Sequence, residues 1–319
     1  MTRERIAGGT VLPFGLRAHT VRPYIGFFFT GILQHPKMDF PACGLPALHP
    51  RAAYGKMDMP DKIYPIKRGL LNMRTKQARM TLWTGAVYLL SFLCYVPVLL
   101  QRLGAAVPGG LLSLRYVFVL IPAAVTVFFL MRGRQVKHYL AARLKGISLR
   151  ELALCAAAAL AGVLVTCGYS LTVNTNLYAS AYPSIGALAA SCGYLFLTAL
   201  AEEAAWRGFF FHNLAAGGKR MRAAVLTGAV WGIWHLPMWI LRNSLGLPEV
   251  LPLLVWVLLV SIALGMLYGI SGSILSAALL HMLCNVCFLA PTAWNSAALS
   301  LCILAAVCEK SFKKSRKPS

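Results

Sequence analysis

Acidic side chains are scarce in this chain, which has nine Asp and Glu against 31 Lys and Arg. Charged residues of both signs make up only 13% of the chain, whereas a soluble domain carries roughly 25%. Hydrophobic residues make up 58%, and several apolar runs reach the ~20 helical residues needed to cross a hydrocarbon core. The shortage of charge therefore excludes an ordinary soluble domain and indicates an integral membrane protein.

The apolar runs alternate with short connectors and predict an all-α, polytopic membrane protein, a bundle of about eight transmembrane helices. The predicted spans are 82–100, 111–131, 151–173, 184–210, 223–241, 250–269, 272–290 and 296–308. The last of these segments is short for a span.

The two ends of the chain differ from this pattern. Residues 1–80 contain scattered Pro, Gly, His and Arg without a helical or strand period, so we expect a disordered or weakly structured basic leader. If translation begins at a later methionine, an alternative that we keep open, this leader precedes the native start. Residues 81–309 form the predicted transmembrane domain, and residues 310–319 form a basic tail.

Basic residues of the membrane domain are concentrated in the connectors at 132–150 and 219–222 and in the tail, whereas the connectors at 101–110, 174–183 and 242–249 hold few. The positive-inside rule predicts that the basic connectors are cytoplasmic, so both termini are predicted to be cytoplasmic. Membrane topology therefore explains the net charge of +22. We therefore expect a lipid bilayer as partner, and no nucleic acid.

Small residues recur four positions apart on two predicted helices, at Gly228 and Gly232 and at Gly265 and Gly269. Such faces permit helices to approach closely in a membrane. Pro237 is predicted to open or kink the helix that contains it, because proline has no N–H to donate.

Five acidic residues remain after residue 80, and they are Glu151, Glu202, Glu203, Glu249 and Glu309. Glu202 and Glu203 are adjacent within an apolar run that continues to Leu214. A carboxylate at mid-membrane costs at least ~2.5 kcal/mol, so such groups usually mark function. On a helix, Glu203 and Arg207 are one turn apart and can pair, whereas Glu202 points about 100° away. We assign Glu203 and Arg207 to site architecture, and Glu202 to chemistry.

Two histidines, His235 and His281, lie well inside predicted apolar helices. A lone buried histidine is more often a packing residue than a catalyst, but here two occur on separate helices. Asn285 follows His281 by one turn on the same face, and Trp231 precedes His235 by one turn. We interpret Trp231 as part of the site's packing and architecture rather than as a substrate contact.

A carboxylate and a histidine around one water molecule can hydrolyse an amide. Glu202 is the candidate general base, and His235 would position or polarise the water. His281 and Asn285 would donate hydrogen bonds to the developing oxyanion.

These residues resemble the CAAX prenyl endopeptidase and bacteriocin-processing (Abi, or CPBP) intramembrane proteases. The family pattern is Glu-Glu-x-x-x-Arg, an aromatic-x-x-x-His and a later His-x-x-x-Asn/Asp. This chain has Glu202-Glu203-Ala-Ala-Trp-Arg207, Trp231-Gly-Ile-Trp-His235 and His281-Met-Leu-Cys-Asn285 in that order, within a motif core of 184–290. One departure is Trp231, where the family usually has Phe. The resemblance implies an eight-helix protease that cleaves near the C-terminus of a membrane-tethered, lipidated or bacteriocin-like peptide or protein.

A metal requirement is left open by these residues. Glu202, His235 and His281 would be the ligands if a divalent metal such as Zn²⁺ is bound. The chain has no His-Glu-x-x-His motif, and we expect that no metal cofactor is required.

Two other function classes use similar residues. A proton-coupled transporter also places Glu, His and Arg inside the membrane, but it would favour internal repeats, and no convincing repeat is present. A non-catalytic immunity or scaffold protein could keep the same fold and motifs while binding a peptide or partner.

Overall fold

A computed structural model of the chain describes residues 76–315, except for 216 and 217, and describes side chains from 78 to 305 outside the same gap. The leader predicted for residues 1–80 lies almost entirely outside these described residues. Every regular element within the described part of the chain is helical. This result confirms the all-α class.

The first half of the described chain consists of helices separated by short breaks. In chain order they are α1 (Lys76–Leu93), α2 (Val96–Arg102), α3 (Gly109–Leu112), α4 (Leu114–Val117), a 3₁₀ turn (Phe118–Leu120), α5 (Ile121–Arg132), α6 (Val136–Arg143), α7 (Leu149–Thr172) and α8 (Leu177–Ala181). α1 and α2 meet at an angle of 40°, and α2 begins with Pro97 in its first turn, where a missing N–H is tolerated. α6 lies within the connector 132–150, which the sequence predicted as a loop.

The second half carries the predicted site motifs and contains two stretches of π-helix. In chain order its elements are α9 (Ile185–Glu203), a first π-helix (Ala204–Phe211), α10 (His212–Leu214), α11 (Arg220–Pro237), a second π-helix (Met238–Arg242), α12 (Leu247–Ser271), α13 (Ile274–Cys287) and α14 (Thr292–Ser315). α11 ends at Pro237, at the position where the sequence predicted an opening or kink.

Five helical stretches of the described chain are long and apolar enough to cross a membrane, judged by length and composition alone. They are Gly109–Arg132, Leu149–Thr172, Ile185–Leu214, Arg220–Arg242 and Leu247–Ser271. The bent pair α1 and α2 adds a sixth if it forms one span, while α13 and the apolar part of α14 are shorter. The polytopic membrane class is confirmed, and the count of eight spans stays a prediction.

Apolar side chains cover much of the outer surface of these helices. Leu149, Leu171 and Ile185 are almost fully exposed, and many other large aliphatic residues are partly exposed to a substantial extent. A soluble protein rarely exposes apolar patches of this extent, whereas a bilayer would cover them with hydrocarbon.

α11 and α12 pack closely because glycines face small side chains at their contact. A Cβ at Gly228 would lie 2.8 Å from Cβ of Ser261, and a Cβ at Gly265 would lie 2.8 Å from Cβ of Ala224. The Ser261 hydroxyl also donates to the Ala224 carbonyl oxygen at 3.0 Å. The close approach predicted from the glycine spacing is therefore confirmed, and it fixes the helix that carries His235.

Candidate active site

Glu203, the last residue of α9, lies at the centre of a buried polar cluster. Its Oε1 accepts a hydrogen bond from Nη1 of Arg207 at 2.7 Å and another from Nδ1 of His281 at 3.0 Å. Glu203 and Arg207 have no exposed surface, and His281 is also buried. The Glu203–Arg207 pair predicted from the sequence is present, and it is joined to the α13 histidine, a link that the sequence did not predict.

Glu202 is oriented differently from its neighbour. Its Oε2 accepts a hydrogen bond from the indole Nε1 of Trp231 at 2.9 Å. The side chain is 7% exposed, so it lies at the edge of the core rather than inside it. Its other oxygen, Oε1, has no hydrogen-bond partner within the described part of the chain. The two adjacent glutamates therefore occupy different environments.

His235 lies in the last turn of α11 and is partly exposed. Its Nδ1 is 2.8 Å from the carbonyl oxygen of Trp231. Because a carbonyl oxygen only accepts, Nδ1 carries the proton and Nε2 of the neutral ring holds a lone pair. The ring stacks on Trp239 with centroids 5.2 Å apart and touches Trp234 edge-on at 4.7 Å. The aromatic neighbours fix the plane of the imidazole.

Trp231 contacts four of the predicted site residues. Its ring centroid lies 5.2 Å from that of His235 and 5.1 Å from that of His281, and the Arg207 guanidinium lies 4.5 Å above the ring. Together with its hydrogen bond to Glu202, these contacts place Glu202, Arg207 and both histidines around one indole. The sequence interpretation of Trp231 as packing missed its hydrogen bond. The signal that could have found it was a tryptophan where phenylalanine is usual.

Asn285 lies one turn after His281 on α13, and its side chain is partly exposed. Its amide makes no hydrogen bond with the residues that the structure describes. The end of α13 beyond it is held firmly, because the Tyr178 hydroxyl and the Thr166 hydroxyl both donate to the Cys287 carbonyl oxygen, at 2.6 and 2.9 Å. The helix is thus fixed while the Asn285 amide keeps its donors.

Both π-helices follow closely on site residues, and wide turns of this kind are frequent at functional sites. The first begins directly after Glu203, and the hydroxyl of Tyr139 on α6 donates to the carbonyl oxygen of Ala204. Burial raises the pKa of Tyr139, so this hydroxyl keeps its proton. Gly208 leaves room for it, because a Cβ there would overlap the tyrosine oxygen. No sequence pattern predicted this contact.

The predicted metal ligands do not form a three-ligand metal site. Among the side chains described between 78 and 305, no group of three or more His, Cys, Asp or Glu is placed to hold a metal ion. Nδ1 of His281 is bound to Glu203, Nδ1 of His235 faces a carbonyl, and Glu202 is bound to Trp231. Both histidines are engaged through Nδ1 and keep Nε2 available, as metal-ligating histidines also do, so the expectation that no metal is required stays a prediction.

Comparison with known proteins supports the motif assignment. Residues 184–287 match the family model described as type II CAAX prenyl endopeptidase Rce1-like. A stretch of 50 residues is 38% identical to CAAX prenyl protease 2 of Methanococcus maripaludis, covering 16% of this chain and 18% of that relative. The family match contains every predicted site residue from Glu202 to Asn285. The resemblance to the CAAX and CPBP proteases is thereby confirmed for this segment, while the aligned stretch spans less than a fifth of the relative's length.

Proposed function

We propose that this chain is an intramembrane endopeptidase of the CAAX type, which hydrolyses a peptide bond in a membrane-associated peptide or protein. The observation that carries the proposal is the cluster around Trp231, where a carboxylate and two imidazoles meet inside a helical membrane domain. The family match and the name of the archaeal relative support a peptide with a prenylated cysteine near its C-terminus as the substrate class.

Glu202 acts as the general base in this proposal. Because Oε2 accepts a hydrogen bond from the Trp231 indole, Oε1 is the atom that takes a proton from water. The resulting hydroxide oxygen attacks the carbonyl carbon of the scissile bond. The C–N bond then breaks, and the proton returns from Glu202 to the leaving amine. His235 presents the lone pair of Nε2 to the same water, because its Nδ1 proton is already committed to the Trp231 carbonyl.

Asn285 and His281 stabilise the negative charge that develops on the substrate oxygen. The Asn285 amide offers a donor directly. His281 donates through Nε2 only in its imidazolium form, because its Nδ1 proton is bound to Glu203; in the neutral ring Nε2 is an acceptor. Glu203 and Arg207 act by holding the His281 ring in place.

No metal takes part in the mechanism that we propose. We expect the purified protein to keep its activity after exhaustive chelation. Complete loss of activity that added zinc restores would contradict a metal-free mechanism, while leaving the peptidase assignment intact.

The proposal is tested with the full chain in proteoliposomes and a farnesylated peptide that ends in a Cys-aliphatic-aliphatic-X motif, beside the same peptide without the lipid. The Glu202→Gln substitution keeps the shape of the side chain and removes the base, so we expect kcat to fall by about 10²- to 10⁴-fold. The matched control is Glu249→Gln, which changes an exposed glutamate in the first turn of α12.

Three outcomes bear on the proposal. Equal cleavage by wild type and Glu202→Gln would contradict the assigned base. Cleavage of the unprenylated peptide at the same rate would contradict the substrate class. A folded wild-type protein that cleaves neither peptide would favour the non-catalytic scaffold instead.

A further inference from the structure

Trp231 makes a contact that the phenylalanine usual at this position of the family cannot make, namely the indole hydrogen bond to Glu202 at 2.9 Å. We propose that Trp231 is a positioning residue, which holds Oε2 of Glu202 so that Oε1 faces the reacting water. It acts through the acid and does not touch the substrate. This inference rests on the proposed function, because it concerns how the carboxylate of the general base is oriented.

The indole is itself held in one orientation. The Arg207 guanidinium lies over its face, and the imidazoles of His281 and His235 meet it at steep angles, 89° and 67°. Trp231 is buried, so its ring cannot turn without losing these contacts. A donor fixed in this way defines the position of the oxygen that it binds.

Glu202 depends on this donor more than Glu203 depends on any one of its partners. Glu203 receives two hydrogen bonds, from Arg207 and His281. Glu202 receives one from the residues that the structure describes, and that one comes from Trp231. With the N–H removed, the Glu202 carboxylate is free to take other rotamers beside a like-charged neighbour. The proposed base would then be misaligned even though every other site residue is in place.

Other buried tryptophans show what an ordinary structural indole contact looks like here. Nε1 of Trp83 donates to the Thr126 hydroxyl at 3.0 Å, and Nε1 of Trp234 donates to the Ser91 hydroxyl at 2.9 Å. Both acceptors are neutral and lie on other helices. Trp83 is as deeply buried as Trp231 and makes the same kind of N–H contact outside the candidate site. It therefore provides a matched control for deleting an indole N–H.

The test compares Trp231→Phe and Trp83→Phe in the full chain, using the farnesylated peptide in proteoliposomes. We expect Trp231→Phe to lower kcat by about 10- to 100-fold, the range for losing one hydrogen bond to a charged group, with KM within about twofold of wild type. Trp83→Phe should leave kcat unchanged, although both variants lose a buried hydrogen bond and should unfold at a slightly lower temperature. A purely structural role for Trp231 would not separate kcat from the unfolding temperature in this way.

A second variant guards against a folding defect in Trp231→Phe. Trp231→benzothienylalanine keeps both fused rings and replaces only the N–H by sulfur, so we expect the same loss of kcat. Unchanged kcat in either folded Trp231 variant, a rise in KM at constant kcat, or an equal loss of kcat in Trp83→Phe would each overturn the inference. Absence of cleavage by the wild-type protein is a different result, because it refutes the proposed function itself.

Discussion

The two π-helices of the candidate site have the same local geometry but are held in different ways. In the first, every side chain from Ala205 to Phe211 is buried. The carbonyl oxygen of Ala204 accepts a hydrogen bond from the hydroxyl of Tyr139, which lies 65 positions earlier in the chain. The stability of this wide turn therefore depends on contacts with distant parts of the molecule.

The second π-helix depends on its own neighbourhood. Of its five residues only Trp239 is buried. The carbonyl oxygens of Met238 and Trp239 accept bonds from the backbone N–H groups of Asn243 and Leu245, each at 3.0 Å. Buried backbone groups need partners, and the comparison shows that a wide turn can obtain them from a distant side chain or from the next few residues. The acid-bearing side of the site is thus closed, and the His235 side is more open.

Among the variants that test this difference between the two π-helices, Gly208→Ala is expected to change stability the most. The added Cβ would overlap the Tyr139 hydroxyl and lie 2.9 Å from Cδ1 of Ile274, so the first π-helix or α6 must shift. We expect a loss of about 1–3 kcal/mol of stability, measured as a lower midpoint of thermal unfolding in detergent. Gly193→Ala on α9 is the control, because a Cβ there has no neighbour within 4 Å and should be neutral or stabilising. Equal behaviour of the two variants would show that Gly208 is not confined.

A smaller effect is expected from Tyr139→Phe, which removes the hydroxyl and keeps the ring. The Ala204 carbonyl loses its partner, so we expect a loss of about 1 kcal/mol. The control is Tyr169→Phe, since the Tyr169 hydroxyl makes no hydrogen bond within the part of the chain that is described. Unfolding midpoints that match for Tyr139→Phe and wild type would mean that the first π-helix does not need its distant donor.

The smallest effect is expected from Ile240→Ala in the second π-helix. Ile240 is exposed, so its truncation should change stability by less than about 0.5 kcal/mol. This result would support the difference between the first π-helix, which is buried, and the second, in which only Trp239 is buried. A loss above about 1 kcal/mol would instead show that the second π-helix is packed as firmly as the first.

Many structural features of the membrane domain could be predicted from local sequence patterns. The apolar runs predicted the helices, and the glycine spacing predicted the close approach of α11 and α12. The i, i+4 spacing predicted the pair between Glu203 and Arg207, because both residues lie on one turn of the same element. Pro237 marked the end of α11, since proline interrupts helical hydrogen bonding wherever it occurs. Each of these predictions depends on residues a few positions apart.

Other features could not be predicted because they join distant segments. Tyr139 belongs to a connector that was predicted as a loop, and nothing near it in the sequence shows that Ala204 would need its hydroxyl. The hydrogen bond from Trp231 to Glu202 joins positions 29 apart, and the bond from His281 to Glu203 joins positions 78 apart. The spacing of motifs along the chain does not specify which acid faces which helix.

The sequence by itself determined that this is a membrane protein, that it is helical, and which residue types make up the candidate site. It could do so because hydrophobicity and helical periodicity are local properties. The tertiary structure decided which partners each of the two glutamates has. Helix packing directs one carboxylate to Arg207 and His281 and the other to an indole, so adjacent and chemically identical side chains lie in different environments, because packing depends on segments far apart in the chain.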